Sequence, residues 1–176
     1  MKKIKIYKVI ITFILSFIVH FIYTLFPSIL TSIFFPINES IWEHMKIIYT
    51  SILLSTIIEY FIYKKKSIKT NNLLISIPIT SIICIIIYLI INYLISLIFP
   101  HKLLISITLL LIIYIIAELI SYKLLNMKEI KYQKIIGIIL IILSYLIFTY
   151  LTYNPPHNNL FIDSQTNTYG IKENHK

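Results

Sequence analysis

Long runs of Ile, Leu, Phe and Tyr alternate with short polar breaks along this 176-residue chain. A helix needs about 20 apolar residues to cross a hydrocarbon layer of about 30 Å. Five runs qualify, at about 9 to 35, 45 to 63, 73 to 99, 103 to 122 and 135 to 153. The pattern predicts an all-α integral membrane bundle of about five transmembrane helices over residues 1–153. A polar tail, 154–176, follows and can fold over the mouth of the bundle. The first run is too long, and too poor in small residues at its end, for a removable signal peptide, so it reads as a retained helix. Pro27 is expected to kink it and bend residues 28 to 35 along the surface.

Composition supports the same class, with 58% hydrophobic and 13% charged residues, far from a soluble domain. Lysine fixes the expected orientation, because basic flanks are retained on the cytoplasmic side. Lys2, Lys3, Lys5 and Lys8, then Lys64, Lys65, Lys66 and Lys69, then Lys123, Lys128, Lys131 and Lys134 cluster at alternate ends of the spans. Only Lys46, Lys102, Lys172 and Lys176 fall at the opposite ends. A multi-pass cell-membrane protein with its N-terminus in and C-terminus out follows. The Asn38 to His44 segment, Pro100-His101 and the tail then share the outer face.

The net charge of +9 does not point to nucleic acid, since there is no arginine and no basic patch interleaved with aromatics. The lipid bilayer and its anionic headgroups are the expected partners. Heavy use of Ile, Lys, Asn and Tyr resembles translation from an AT-rich bacterial genome. Cys84 is the single cysteine, so no disulfide, zinc-thiolate or iron-sulfur framework exists, and it reads as a buried apolar filler. A Gly-rich phosphate loop, G-x-S-x-G and H-E-x-x-H are all absent.

Gly137 and Ala117 are the only Gly and Ala in the spans, so hydroxyls are expected to permit close helix packing. In the second span Ser40, His44, Ser51, Ser55 and Glu59 fall within an arc of roughly 100°. Thr12, Ser16, His20 and Thr24 form a similar line in the first, and Thr80, Ser81, Cys84, Tyr88 and Asn92 in the third. These stripes should face the bundle interior. Glu59 and Glu118 stand five residues before Lys64 and Lys123, so each is expected to snorkel into an interfacial ion pair. His20 stands near mid-span, as either a hydrogen-bonded core histidine or a functional group.

The densest polarity lies in Phe35-Pro-Ile-Asn-Glu-Ser-Ile-Trp-Glu-His-Met-Lys46. Ser40-x-x-Glu43 matches a capping box opening the second span. Trp42 suits an interfacial aromatic belt, and Glu39 and Glu43 favour the positive helix end. Capping accounts for Ser40, Glu43 and Asn38 but not for His44, whose position near a helix N-terminus favours the neutral ring unless the adjacent carboxylates outweigh the dipole. A neutral imidazole can act as base or ligand. Glu39, Ser40, Glu43 and His44 are the candidate catalytic residues. The tail adds His157 and Asp163, and the turn between the third and fourth spans adds His101.

Pro36-x-Asn38-Glu39-Ser40-x-Trp42-Glu43-His44-x-Lys46, with Asn154-Pro-Pro-His157-x-x-Leu160-Phe161-x-Asp163 and Tyr169-Gly170, resembles a family of small membrane proteins, mostly from Firmicutes, with no assigned activity. The resemblance runs along most of the chain and implies a membrane location and a shared site without a reaction. Asn158-Asn159 and Ser164-Gln165-Thr166-Asn167 depart from it, standing where a turn richer in Pro and Gly is expected. Ser40-x-x-x-His44 is also similar to a pair used by zinc-dependent membrane hydrolases related to alkaline ceramidases. The five spans, the missing His-x-x-x-His of the last helix and the missing aspartate of the third depart from that group. The analogy shows only that such chemistry is physically possible.

Three functional classes fit. In the first, an outer-face hydrolase or transferase acts on lipid or cell-envelope substrate, with His44, His157 and Asp163 holding a divalent metal such as zinc and Glu43 or Glu39 as general base. In the second, the line from His44 through Ser51 and Ser55 to Glu59, about 22 Å at 1.5 Å per residue, serves a small proton-coupled transporter. In the third, a non-enzymatic partner protein uses the motif as a helix cap that orders the tail.

Overall fold

A computed structural model describes residues 2–98 and 103–171. Among the described residues it is all-helical, with an isolated antiparallel bridge between Ile162 and Tyr169. The order is α1 (Lys2–Leu25), α2 (Ile29–Phe34), α3 (Ile41–Lys65), α4 (Leu73–Ser96), α5 (Leu103–Asn126) and α6 (Gln133–Tyr153). All but α2 are long and apolar enough to cross a bilayer. Large apolar side chains such as Ile14, Ile86, Ile112 and Leu146 point outward, which suits lipid rather than water. The chain is a multi-pass membrane bundle. Pro100, His101 and Lys102, and the tail beyond Ile171, lie outside the described residues.

Two boundaries differ from the hydropathy pattern for physical reasons. α1 begins inside the first lysine cluster, because Lys5 and Lys8 are buried and balanced by charge rather than solvated. Pro27 breaks the helix instead of kinking it, and Ser28 restarts it as α2 with a reciprocal capping box, Thr31 N–H to Ser28 Oγ at 3.1 Å and Ser28 N–H to Thr31 Oγ1 at 2.9 Å. His20 therefore sits in the last two turns of α1, not at mid-span.

Helix α3 lies at the centre, packed on α1, α4 and α5, while α4 also carries α5 and α6. The hydroxyl stripes face inward as expected: Thr12, Ser16, Ser51, Ser55, Thr80 and Ser81 are all buried, although Thr24 is exposed. Cys84 is buried among Ile52, Tyr88 and Ile113 in the central core cluster. A close approach of α6 to α4 uses the one span glycine. A Cβ on Gly137 would lie 2.7 Å from Ile75 N and 2.9 Å from Leu74 O. That Leu74 carbonyl is the one left without its helical donor by Pro78, four residues on. The glycine backbone of α6 thus covers a flaw in α4.

The turns preceding α4 and α6 are stitched by Asn72, whose Nδ2 donates to Leu124 O and Lys128 O at 3.1 and 3.0 Å. Its Oδ1 accepts from Ile130 N at 2.8 Å. Asn72 takes the left-handed conformation, φ 57°, which asparagine tolerates better than most residues. The lysine-bearing turns at residues 66–72 and 127–132 therefore meet at one end of the bundle.

Candidate metal centre

The chain leaves α2 extended, and the Asn38 side chain then turns it by accepting from Ser40 N at 3.1 Å. Ser40 becomes the N-cap of α3, its Oγ accepting from Glu43 N at 3.2 Å. Only this half of the expected capping box forms. The Glu43 carboxylate turns inward instead, Oε1 accepting from Thr152 Oγ1 at 2.7 Å and Oε2 from Ile37 N at 3.1 Å. Oε2 also pairs with Lys46 Nζ at 2.8 Å, and Lys46 donates to Ser32 O at 2.9 Å. With both oxygens engaged and the residue buried, Glu43 is a tie between the 35–40 connection, α3 and α6 rather than a free base.

That tie leaves Glu39 beside two histidines from different helices. His20 Nε2 lies 3.3 Å from Glu39 Oε1, and His44 Nε2 lies 3.5 Å from Glu39 Oε2. One ligand atom from each of the three residues lies within 4.8 Å of the others. Zinc bonds N and O ligands at about 2.0–2.1 Å, so the edges of its tetrahedron are roughly 3.3 Å long. The two separations, each to a different oxygen of the Glu39 carboxylate, are close to that edge. All three side chains are between 24% and 31% exposed, so the group is partly open at the surface of the bundle.

The tautomer of His44 follows from its second nitrogen. Nδ1 is 2.8 Å from Ser40 O, and a carbonyl only accepts, so Nδ1 carries the proton. In the neutral ring this leaves the Nε2 lone pair directed to the Glu39 side. A lone pair facing a carboxylate calls for a proton or a cation between them. His20 packs edge-on against Phe21 with ring centroids 4.7 Å apart.

The metal set expected from sequence, His44 with His157 and Asp163, is not the one assembled. His157 stacks on Tyr169 at 4.5 Å and 8°. Asp163 closes its own turn, Oδ1 accepting from Gln165 N at 3.0 Å and Oδ2 from Thr166 Oγ1 at 2.6 Å. The described part of the tail nonetheless reaches the start of α3. Trp42 N donates to Leu160 O at 2.9 Å, and the Trp42 indole stacks on Phe161 at 5.0 Å. Ser164 Oγ donates to Glu39 O at 3.2 Å. Trp42 is thus a clamp on the tail rather than a free member of an interfacial belt.

Glu59 and Glu118 form a second ionisable cluster near the other end of α3. Lys5 Nζ lies 2.7 Å from Glu59 Oε1 and 3.1 Å from Glu118 Oε2. Lys8 Nζ lies 2.9 Å from Glu59 Oε2 and 3.1 Å from Glu118 Oε1. Tyr63, Thr56 and Ser121 complete it by hydrogen bonds to Glu59, Lys8 and Lys5. The expected partners, Lys64 and Lys123, are exposed. Two cations and two anions cancel inside the bundle, and neither glutamate snorkels.

The sequence matches a family of unknown function, DUF6512, over residues 1–171. The chain belongs to that family. No curated protein and no solved structure matches it. Family membership therefore supplies no reaction, and the chemistry of the site rests on its own geometry.

Proposed function

We propose that this protein binds a divalent transition metal of the zinc class on the outer face of a cell membrane, through His20, Glu39 and His44. The remaining coordination position would serve hydrolysis or group transfer on a lipid or cell-envelope substrate. One observation carries the reading: two imidazole Nε2 atoms converge on the two oxygens of a single carboxylate. Three protein ligands and an open fourth position distinguish catalytic from structural zinc. A bound cation would acidify a coordinated water and polarise an ester or phosphoryl oxygen. The chain's part is to hold the ligands. The Ser40 carbonyl orients His44, while the Glu43–Lys46 pair and Ser164 fix the backbone on either side of Glu39. The outer-face assignment is supported by the lysine clusters at the opposite ends of the spans.

Metal analysis of the detergent-purified protein tests this. Near-stoichiometric metal is expected in the wild type and in His157→Ala, and little in His20→Ala, Glu39→Gln or His44→Ala. Equal and negligible metal in all five overturns the proposal and leaves the motif as a helix cap. A second reading, proton-coupled transport, is favoured by the buried hydroxyls of Ser51, Ser55 and Tyr114 between the two ionisable clusters. Liposomes that carry no proton flux would remove it.

A further inference from the structure

We infer that the chain carries a second binding site, for one anionic glycerophospholipid, where the N-termini of α4 and α6 converge at the end of the bundle opposite the metal centre. Near the metal centre α3 and α6 are tied by Thr152 to Glu43 and Thr50 to Tyr145. Toward the other end a groove of about 450 Å³ opens, walled by α3, α4 and α6. Ile57, Phe61, Leu74 and Ile77 give it an apolar length, and Thr70, Gln133 and Lys134 a polar head.

Two helices begin at that head without side-chain caps. The N-cap residues Asn72 and Tyr132 make no capping hydrogen bond, and neither first turn contains an acidic residue. The Asn72 side chain is committed to the 124–130 turn. Uncapped N–H groups at a helix N-terminus, with the positive end of its dipole, favour an anion such as phosphate. Lys134 adds a full positive charge beside them. An acidic cap on either helix would have neutralised the feature, and the sequence supplies none.

An independent observation comes from Gln133. It is 7% exposed, lines the groove, and its Oε1 is buried without a hydrogen-bond partner. A buried acceptor of this kind calls for a donor. A phosphate alone offers only acceptors when fully ionised, whereas a phospholipid headgroup bearing hydroxyls offers both. The occupant is therefore a lipid such as phosphatidylglycerol, its phosphate at the two helix N-termini and Lys134. A headgroup hydroxyl would donate to Gln133, and an acyl chain would follow Ile57, Phe61, Leu74 and Ile77. Lys134 at the head of the groove selects against a zwitterionic headgroup. This inference stands independently of the metal centre.

Native mass spectrometry of the full-length protein in detergent tests it, with phosphatidylglycerol, phosphatidylcholine of the same chains, and inorganic phosphate as probes. Wild type is expected to retain phosphatidylglycerol and to discriminate against the other two. Lys134→Ala should lower retention about fivefold, as expected for one lysine at an anionic surface. Gln133→Leu should lower it further, and Lys64→Ala, an exposed lysine at the same end, should leave it unchanged. Lys134 is exposed, so its variant keeps the test valid should Gln133→Leu fold poorly. Equal retention of both lipids overturns the inference, as does protection by phosphate alone. Equal loss in Lys134→Ala and Lys64→Ala would reduce the site to diffuse charge and overturn it too.

Discussion

The two ionisable clusters of this bundle are built from the same kinds of helix yet differ in closure. Lys5, Lys8, Glu59 and Glu118 are each at most 5% exposed, balance in charge, and are surrounded by hydroxyl partners. His20, Glu39 and His44 are 24–31% exposed and bring two imidazole nitrogens to a single carboxylate. A closed cluster has nothing left to bind, and its removal should register in stability. An open cluster has unused bonding capacity, and its removal should register in ligand affinity.

The largest effect is expected in the closed cluster. Glu59→Gln leaves Lys5 and Lys8 facing one carboxylate, and breaking a buried pair of this kind costs about 3–5 kcal/mol. The melting temperature in detergent should fall sharply, whereas the joint replacement Lys5→Met, Lys8→Met, Glu59→Leu and Glu118→Leu should recover much of the loss. A Glu59→Gln protein that melts with the wild type would break the comparison at this end.

Glu39→Gln should do the opposite. Zinc affinity, read by competition with a chromogenic chelator, is expected to fall by about 100-fold or more, while the metal-free melting temperature stays close to wild type. Wild-type affinity should also weaken as pH falls, because protons compete with the cation for the imidazole nitrogens. Loss of stability with metal binding retained would invert the assignment of the two clusters.

Ser40→Ala gives the smallest effect. It removes an N-cap worth about 1 kcal/mol but keeps the backbone carbonyl that orients His44, so metal binding should survive within a few-fold. A collapse of metal binding in this variant would mean that the hydroxyl itself belongs to the site.

Hydropathy made the five spans legible because each apolar run is long and ends at lysine, proline or asparagine. The motif also singled out Glu39 and His44. Their third partner was hidden by a boundary: extending the first span to residue 35 put His20 at mid-membrane, away from the motif it meets. The partners of Glu59 are hidden for a geometric reason. Lys64 follows by five residues, which on a helix is about 140° around the axis and on another face. Lys5 and Lys8, by contrast, continue the Thr12–Ser16–His20 stripe toward the N-terminus at helical spacing. Following that stripe into the lysine cluster would have marked both as buried. The tail was harder still, since nothing local shows that His157 prefers the face of Tyr169.

The burial of Lys5 and Lys8 also bears on biogenesis. Both cations leave the ribosome with α1, but Glu59 emerges two helices later and Glu118 only with α5. Until then α1 carries unmatched charge that lipid disfavours, so it should linger near the translocon or another escort instead of partitioning freely. Nascent chains halted before α5 should accordingly be the forms that membrane quality control degrades.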